Sequence, residues 1–217
     1  MVIAIDGPAA SGKSSTAKWV AEVLHIRHAD SGALYRAATL ARIHAGGAPP
    51  WTEESVLAAA AGVTLAPGST SYDVLVGGQP AVDALHQPVV TANVSAVAQM
   101  QRVRAWVNSR MRNCAEDGAI VVDGRDMGTA VFPDAALKVF LVADPWERAR
   151  RRLWQRLGRG ATDDEIAAET AALVQRDSRD ATQTQQAADA VIIDTTLLTQ
   201  EEQVERIVAL ARVAMSR

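Results

Sequence analysis

"VIAIDGPAASGKSSTAKWVAEVL" occupies positions 2–24, and the reading of its middle decides the fold. "VIAID" (2–6) is an apolar run with β-branched residues, the composition of a buried strand. "SSTAKWVAEVL" (14–24) sets Ala17, Val20, Ala21 and Leu24 at helical spacing. Between the two, the spacing Gly7-x-x-x-x-Gly12-Lys13-Ser14 describes a loop wrapped around phosphates. Glycine permits the backbone angles such a loop requires, and its N–H groups then turn inward toward anionic oxygens. The helix that follows aims its positive dipole end at the same anion. Lys13 is placed to reach β- and γ-phosphates, and the Ser14 hydroxyl to hold Mg²⁺. The segment Gly7, Pro8, Ala9, Ala10, Ser11, Gly12, Lys13, Ser14 and Ser15 is therefore expected to bind a nucleoside triphosphate. A turn that merely spells this pattern is the alternative, and the strand before it and helix after it argue against that.

Outward from this segment, "IRHAD" (26–30) predicts a second strand and "SGALYRAATLARIHAG" (31–46) a helix for which Ser31 can supply the cap. Pro49 and Pro50 break the pattern, and a short helix is expected over 53–61. Between Gly62 and Val82 the period becomes strand-like and is punctuated by glycine, predicting a small β-rich insertion. One long helix is expected from about 89 to 116. "AIVVDG" (119–124), "LKVFLVAD" (137–144) and "AVIID" (190–194) are further strands, the first of them central. Helical patterns separate them at 145–157, 163–177 and 199–215. Alternating strands and helices predict an α/β fold, a central parallel sheet with helices on both faces. Ligands of such folds sit at the carboxyl ends of the strands, where Asp6, Asp30, Asp123 and Asp144 fall. The expected division is one domain: a core of 1–45, 84–150 and 180–217, an insertion at 46–83 and a lid region at 148–180.

Composition narrows the function classes. Across 217 residues, 22 basic and 25 acidic side chains leave a net charge of −3, without the basic footprint that long nucleic acid demands. No apolar run approaches the roughly eighteen residues of a membrane helix, and the first strand begins too early for a signal peptide. Cys114 is the only cysteine, which suits a reducing cytoplasm and predicts an inert side chain near a helix end. The four histidines show no metal-ligand spacing.

A phosphate loop alone does not separate an ATPase, a GTPase, a small-molecule kinase and a binding module. The Asn-Lys-x-Asp motif of GTPases is absent. "DSGALYR" (30–36) and "DGRDMGTAVFPDA" (123–135) instead put Ser31, Arg36, Arg125 and Asp126 at strand ends facing the loop. Asp123 can bind Mg²⁺ through water or simply form a turn, and "DGRD" can equally be a turn with a local salt bridge.

These segments, with "RDSRD" (176–180) and the β-rich insertion, closely resemble the bacterial cytidylate kinases in order along nearly the whole chain. The resemblance implies a P-loop kinase fold and transfer of the γ-phosphoryl of ATP to CMP or dCMP with Mg²⁺, by a cytoplasmic monomer. It places the acceptor site on Ser31, Arg36, Ser95, Arg104, Arg125, Asp126, Arg176 and Asp180. Arginine suits bidentate phosphate contacts. Ser31 and Asp126 can accept from the amine of cytosine, where uracil carries a carbonyl. The family also has an arginine three residues after the aspartate at Asp180, followed by Pro-Leu; this chain has Gln183 and no Pro-Leu. The base is then held more weakly, or another cation such as Arg176 or Arg179 serves it. A kinase for another acceptor such as UMP, or an ATP-binding regulator without turnover, stays open at this point.

Arg148, Arg152, Arg156 and Arg159 fall along one stripe of a helix, where like charges repel. A lid that closes these arginines over the phosphates, hinged at Gly158 and Gly160, accounts for the stripe and for exclusion of water. Lys13, Arg125 and Arg152 are the expected catalytic cations, and Ser14 and Asp123 the metal site. Alternatively, the stripe is a solvated face balanced by Glu147, Asp163, Asp164 and Glu165.

Overall fold

The computed structural model describes residues 1–216. Strands β1 (Val2–Asp6), β2 (Arg27–Asp30), β6 (Ile120–Gly124), β7 (Leu137–Val142) and β8 (Val191–Asp194) form one sheet in the order β2-β6-β1-β7-β8. Every pairing in it is parallel. Its middle strand is β1, with β6 beside it rather than at the centre. Alternation along β1 sends Ile3 and Ile5 to one face and Ala4 to the other. Helices α1 (Lys13–Leu24) and α8 (Gln200–Met215) cover the first face through Ala17, Val20, Ile207 and Val208. The second face is covered by α2 (Ser31–His44), α3 (Glu53–Ala60), α4 (Pro88–Gln99) and α5 (Gln101–Glu116), through Leu34, Leu40, Val56, Val97 and Met111. Each such side chain contributes roughly 1.5–3 kcal/mol by its removal from water.

The insertion is a separate antiparallel sheet of β3 (Val63–Pro67), β4 (Tyr72–Val76) and β5 (Gln79–Pro80). It docks beside the edge strand β2, where the His28 N–H donates to the Thr70 carbonyl at 3.0 Å. Helices α6 (Pro145–Leu157) and α7 (Asp163–Asp180) pack on each other around Ala149, Leu153, Ile166 and Leu173. No helix among the described residues is long and apolar enough to cross a membrane.

Three boundaries differ from the sequence expectation. The long helix over 89–116 is two, because Met100 is extended (ψ 116°) and starts α5 in a new direction. No proline or glycine marks that break; the residues packed around it impose it. Helix α7 runs on to Asp180, beyond the expected 177. Ser31 is not the cap of α2: Asp30 is, its carboxylate accepting the Ala33 N–H at 3.1 Å.

Candidate active site

The carboxyl ends of β1, β2 and β6 open into one cleft of about 1230 Å³. At one end lies the phosphate loop. Gly12 ends it in the left-handed region (φ 86°) and starts α1. Gly7 has a different task, since a Cβ there would stand 2.4 Å from the Leu141 carbonyl oxygen. The loop does not turn every residue to the cleft. Ala9, Ala10 and Gly12 to Ser15 line it, whereas Gly7, Pro8 and Ser11 do not. Gly7 and Pro8 instead lend carbonyls, to Arg125 at 2.7 Å and to the Lys13 ammonium at 3.0 Å, and Ser11 is fully buried.

Asp123 belongs to β6 and is no turn former. Its Oδ2 accepts the Ser14 hydroxyl at 2.5 Å and its Oδ1 lies 2.7 Å from His28 Nε2. Asp30 is the neighbouring residue in the register. Burial and the charge of Asp123 push Asp30 up to about 6. Burial opposes ionisation of His28, yet the hydrogen bond and charge of Asp123 carry it above its ordinary value.

Five cations converge on the middle of the cleft: Lys13, Arg36, Arg125, Arg152 and Arg176. Burial, then the Arg125 guanidinium, pulls Lys13 down to about 7. Burial, with Arg125 and Arg36 alongside, brings Arg176 down to about 10, and burial with Arg152 and Arg125 lowers Arg36. The cations that face one another here are thus short of counter-charge, which is the electrostatics of an anion site. Asp180 partly offsets them, 3.0 Å from Arg125 and 3.7 Å from Arg176. Arg36 is held by the Leu85 carbonyl at 3.2 Å and the Thr91 hydroxyl at 3.1 Å.

Beyond the arginines, Arg104 pairs with Asp126 and lies over the Tyr35 ring, 6.0 Å from its centre. Burial raises Asp126 against the pull of Arg104. "DGRD" therefore holds no local salt bridge, because Arg125 and Asp126 pair with different partners on α7 and α5. Ser95, Ser31 and Gln183 line the same region. The Ser31 hydroxyl donates to the Asp123 carbonyl at 2.9 Å. Of the two arginines offered as substitutes near Gln183, Arg176 lines the cleft, whereas Arg179 is exposed and outside it.

The arginine stripe needs correction. Arg148 is 4% exposed and is no lid arginine: it donates to the Ala9 carbonyl at 2.8 Å and pairs with Asp177 at 2.6 Å. Arg159 lies past the end of α6, which Gly158 closes (φ 65°), and pairs with Glu165 at 2.7 Å. Arg152 and Arg156 share Glu169, at 2.9 and 3.2 Å, and face the cleft. Repulsion along the stripe is thus cancelled by acids of α7, of which Glu165 alone was among the expected partners. Sequence reading missed Arg150 and Arg151, which also line the cleft, and Asp6, whose carboxylate accepts the N–H groups of Met127 and Gly128, each at 2.8 Å. Only their strand-end and helix-face positions signalled them.

Comparison with known proteins accords with this geometry. The family model described as Cytidylate kinase matches residues 3–213. The chain is 39% identical over 211 residues to a cytidylate kinase of Limosilactobacillus reuteri, covering 94% of this chain and 92% of that protein. It is 42% identical to one of Thermus thermophilus (96% and 97% covered) and 44% identical to one of Geobacillus kaustophilus (94% and 93%). A gluconokinase from Sinorhizobium meliloti superposes with a TM-score of 0.51 at 16% identity, covering 99% of this chain and 94% of that one, a likeness of fold alone. A phosphate loop facing a second, arginine-lined site, together with a match that spans nearly every residue, shows that this chain belongs to the cytidylate kinase family.

Proposed function

We infer that this protein transfers the γ-phosphoryl group of ATP to CMP and dCMP, giving ADP with CDP or dCDP. The observation that carries the reading is the five-cation centre between the phosphate loop and the Arg104–Asp126 pair. An acceptor phosphate and a donor phosphate chain both need counter-charge where they meet. A phosphate oxygen of CMP attacks the γ-phosphorus, and the bond from that phosphorus to the β,γ-bridging oxygen breaks. No general base is required, since the attacking oxygen is already anionic. Alignment and charge neutralisation carry the catalysis.

Lys13 and Arg152 would meet the transferring group, and Arg36 and Arg125 would grip the acceptor phosphate. Arg104, Asp126 and Ser31 would read the base, with Ser95, Arg176 and Asp180 around the ribose. Gln183 would offer one uncharged hydrogen bond in place of the family's arginine. Ser14 and Asp123 bring two hard oxygen donors within 2.5 Å beside the loop, the donor type that suits Mg²⁺. When bound there, Mg²⁺ supplies charge neutralisation at the donor phosphates. Residues 148–180 would act as the lid, contributing Arg152 and Arg156 with the unanticipated Arg150 and Arg151. The lone, buried Cys114 suits a reducing compartment, and we assign the enzyme to the cytoplasm as a monomer.

ADP release measured with CMP, dCMP, UMP, AMP or no acceptor tests the reading. CMP and dCMP are expected to be the fast acceptors, and Lys13→Ala to lower their turnover by orders of magnitude. Asp126→Ala should reduce the preference for CMP over UMP by about 1–3 kcal/mol. Release that is fastest with UMP, or undiminished without an acceptor, overturns it.

A further inference from the structure

Asp123 is 1% exposed, and both of its carboxylate oxygens are engaged. Ser14 takes Oδ2 from the phosphate loop, and His28 takes Oδ1 from behind. His28 itself is 6% exposed and sits on the edge strand β2, away from the cleft lining. An apolar residue would suit such a buried strand position on packing grounds, so an imidazole here calls for a polar reason. That reason is visible: without Nε2, Oδ1 would be a buried acceptor with no partner from β2. The same residue is where the inserted sheet docks, through its N–H to Thr70.

We propose that His28 is a positioning residue: by holding Oδ1 of Asp123 it fixes the carboxylate plane so that Oδ2 stays beside the Ser14 hydroxyl, in the orientation that the Mg²⁺ of the ATP complex requires. The inference rests on the assignment of Ser14 and Asp123 as the metal site. A carboxylate with one oxygen pinned has a single low-energy rotation about its Cβ–Cγ bond. One with neither oxygen pinned samples several and must be ordered as the cation arrives. Hydrogen-bond partners of metal-site ligands commonly govern affinity in this way, by about 10–100-fold.

The test measures Mn²⁺ binding to the enzyme–ATP complex by water-proton relaxation, alongside thermal unfolding and the KM for CMP. His28→Leu removes the donor while keeping the bulk. His28→Gln restores an N–H at the end of a side chain of similar reach. Expected is a loss of Mn²⁺ affinity of about tenfold in His28→Leu, recovery to within about threefold in His28→Gln, and an unaltered KM for CMP in both. Should the leucine variant fail to fold, His28→Asn, polar but too short to reach Asp123, takes its place with the same expected loss. Wild-type Mn²⁺ affinity in His28→Leu or its substitute, or an equal loss in the glutamine variant, overturns the proposal. Asp123→Asn separates this failure from that of the metal-site assignment: if it too leaves Mn²⁺ affinity unchanged, the assignment falls; if it weakens binding while His28→Leu does not, only the role of His28 falls.

Discussion

Lys13 shows how one residue couples local structure to chemistry. The loop that aims its ammonium at a phosphate also strips it of water and sets it beside Arg125, and its pKa falls to about 7. Near neutrality much of the free enzyme then carries an uncharged lysine, while the phosphate-bound form favours the ammonium. Binding of ATP must therefore take up a proton when the pH exceeds about 7, and affinity must weaken as pH rises from there toward the higher pKa of the complex. Calorimetry in two buffers of different ionisation enthalpy, at a pH just above 7, is expected to show uptake on the order of half a proton per ATP. Lys13→Arg, which stays charged, should abolish it. Uptake that is absent, or that persists in Lys13→Arg, would mean that Lys13 is already an ammonium in the free enzyme.

At the scale of elements, the lid is anchored as well as hinged. Asp177 on α7 accepts the Ala9 N–H at 3.0 Å and pairs with Arg148 on α6, which donates to the Ala9 carbonyl. Three segments far apart in sequence are tied at one point under the phosphate loop. Removing one partner strands the other in a dry site: Asp177→Ala should cost about 3 kcal/mol, toward the low end for a buried pair because Asp177 stays a quarter exposed. Arg148→Met with Asp177→Ala should cost clearly less than the two single changes added, since no lone charge remains buried. Urea unfolding of the four proteins checks this, and strict additivity would refute the coupling. Such ties mark the limit of what the sequence discloses. The loop, the strands and Arg36, Arg125 and Asp126 are legible because local spacing encodes them. The pairing of Arg148 with Asp177, the break at Met100 and the contact of His28 with Asp123 are not, because each depends on which distant segment the fold brings alongside. Arg148 and Arg152 lie one helical turn apart on the same stripe, and only packing decides that one is buried and the other faces the cleft.

In the whole molecule, the two faces of the sheet are covered by separate apolar clusters, and the catalytic cleft opens at the strand ends, where Lys13, Arg36, Arg125, Arg152 and Arg176 face one another. The free enzyme therefore carries an electrostatic cost at its centre that a polyanion relieves. Inorganic tripolyphosphate, which has the charge of the donor chain without its nucleoside, should bind there and raise the melting temperature. At about a hundred times its Kd the gain is roughly 2.7 kcal/mol, and for a chain of this size that corresponds to roughly 5–10 °C. Sodium chloride at equal ionic strength only screens exposed charges and reaches this cleft poorly, so it should give a small fraction of the shift. Arg125→Ala lowers the mutual repulsion and removes a ligand contact together. That variant should melt no more than slightly below the wild type, at a cost set by its lost bonds to Gly7 and Asp180, and should gain much less from tripolyphosphate. Thermal denaturation of both proteins in the two salts measures this. Equal stabilisation by chloride and tripolyphosphate would show that the five cations are screened individually and do not act as one anion site.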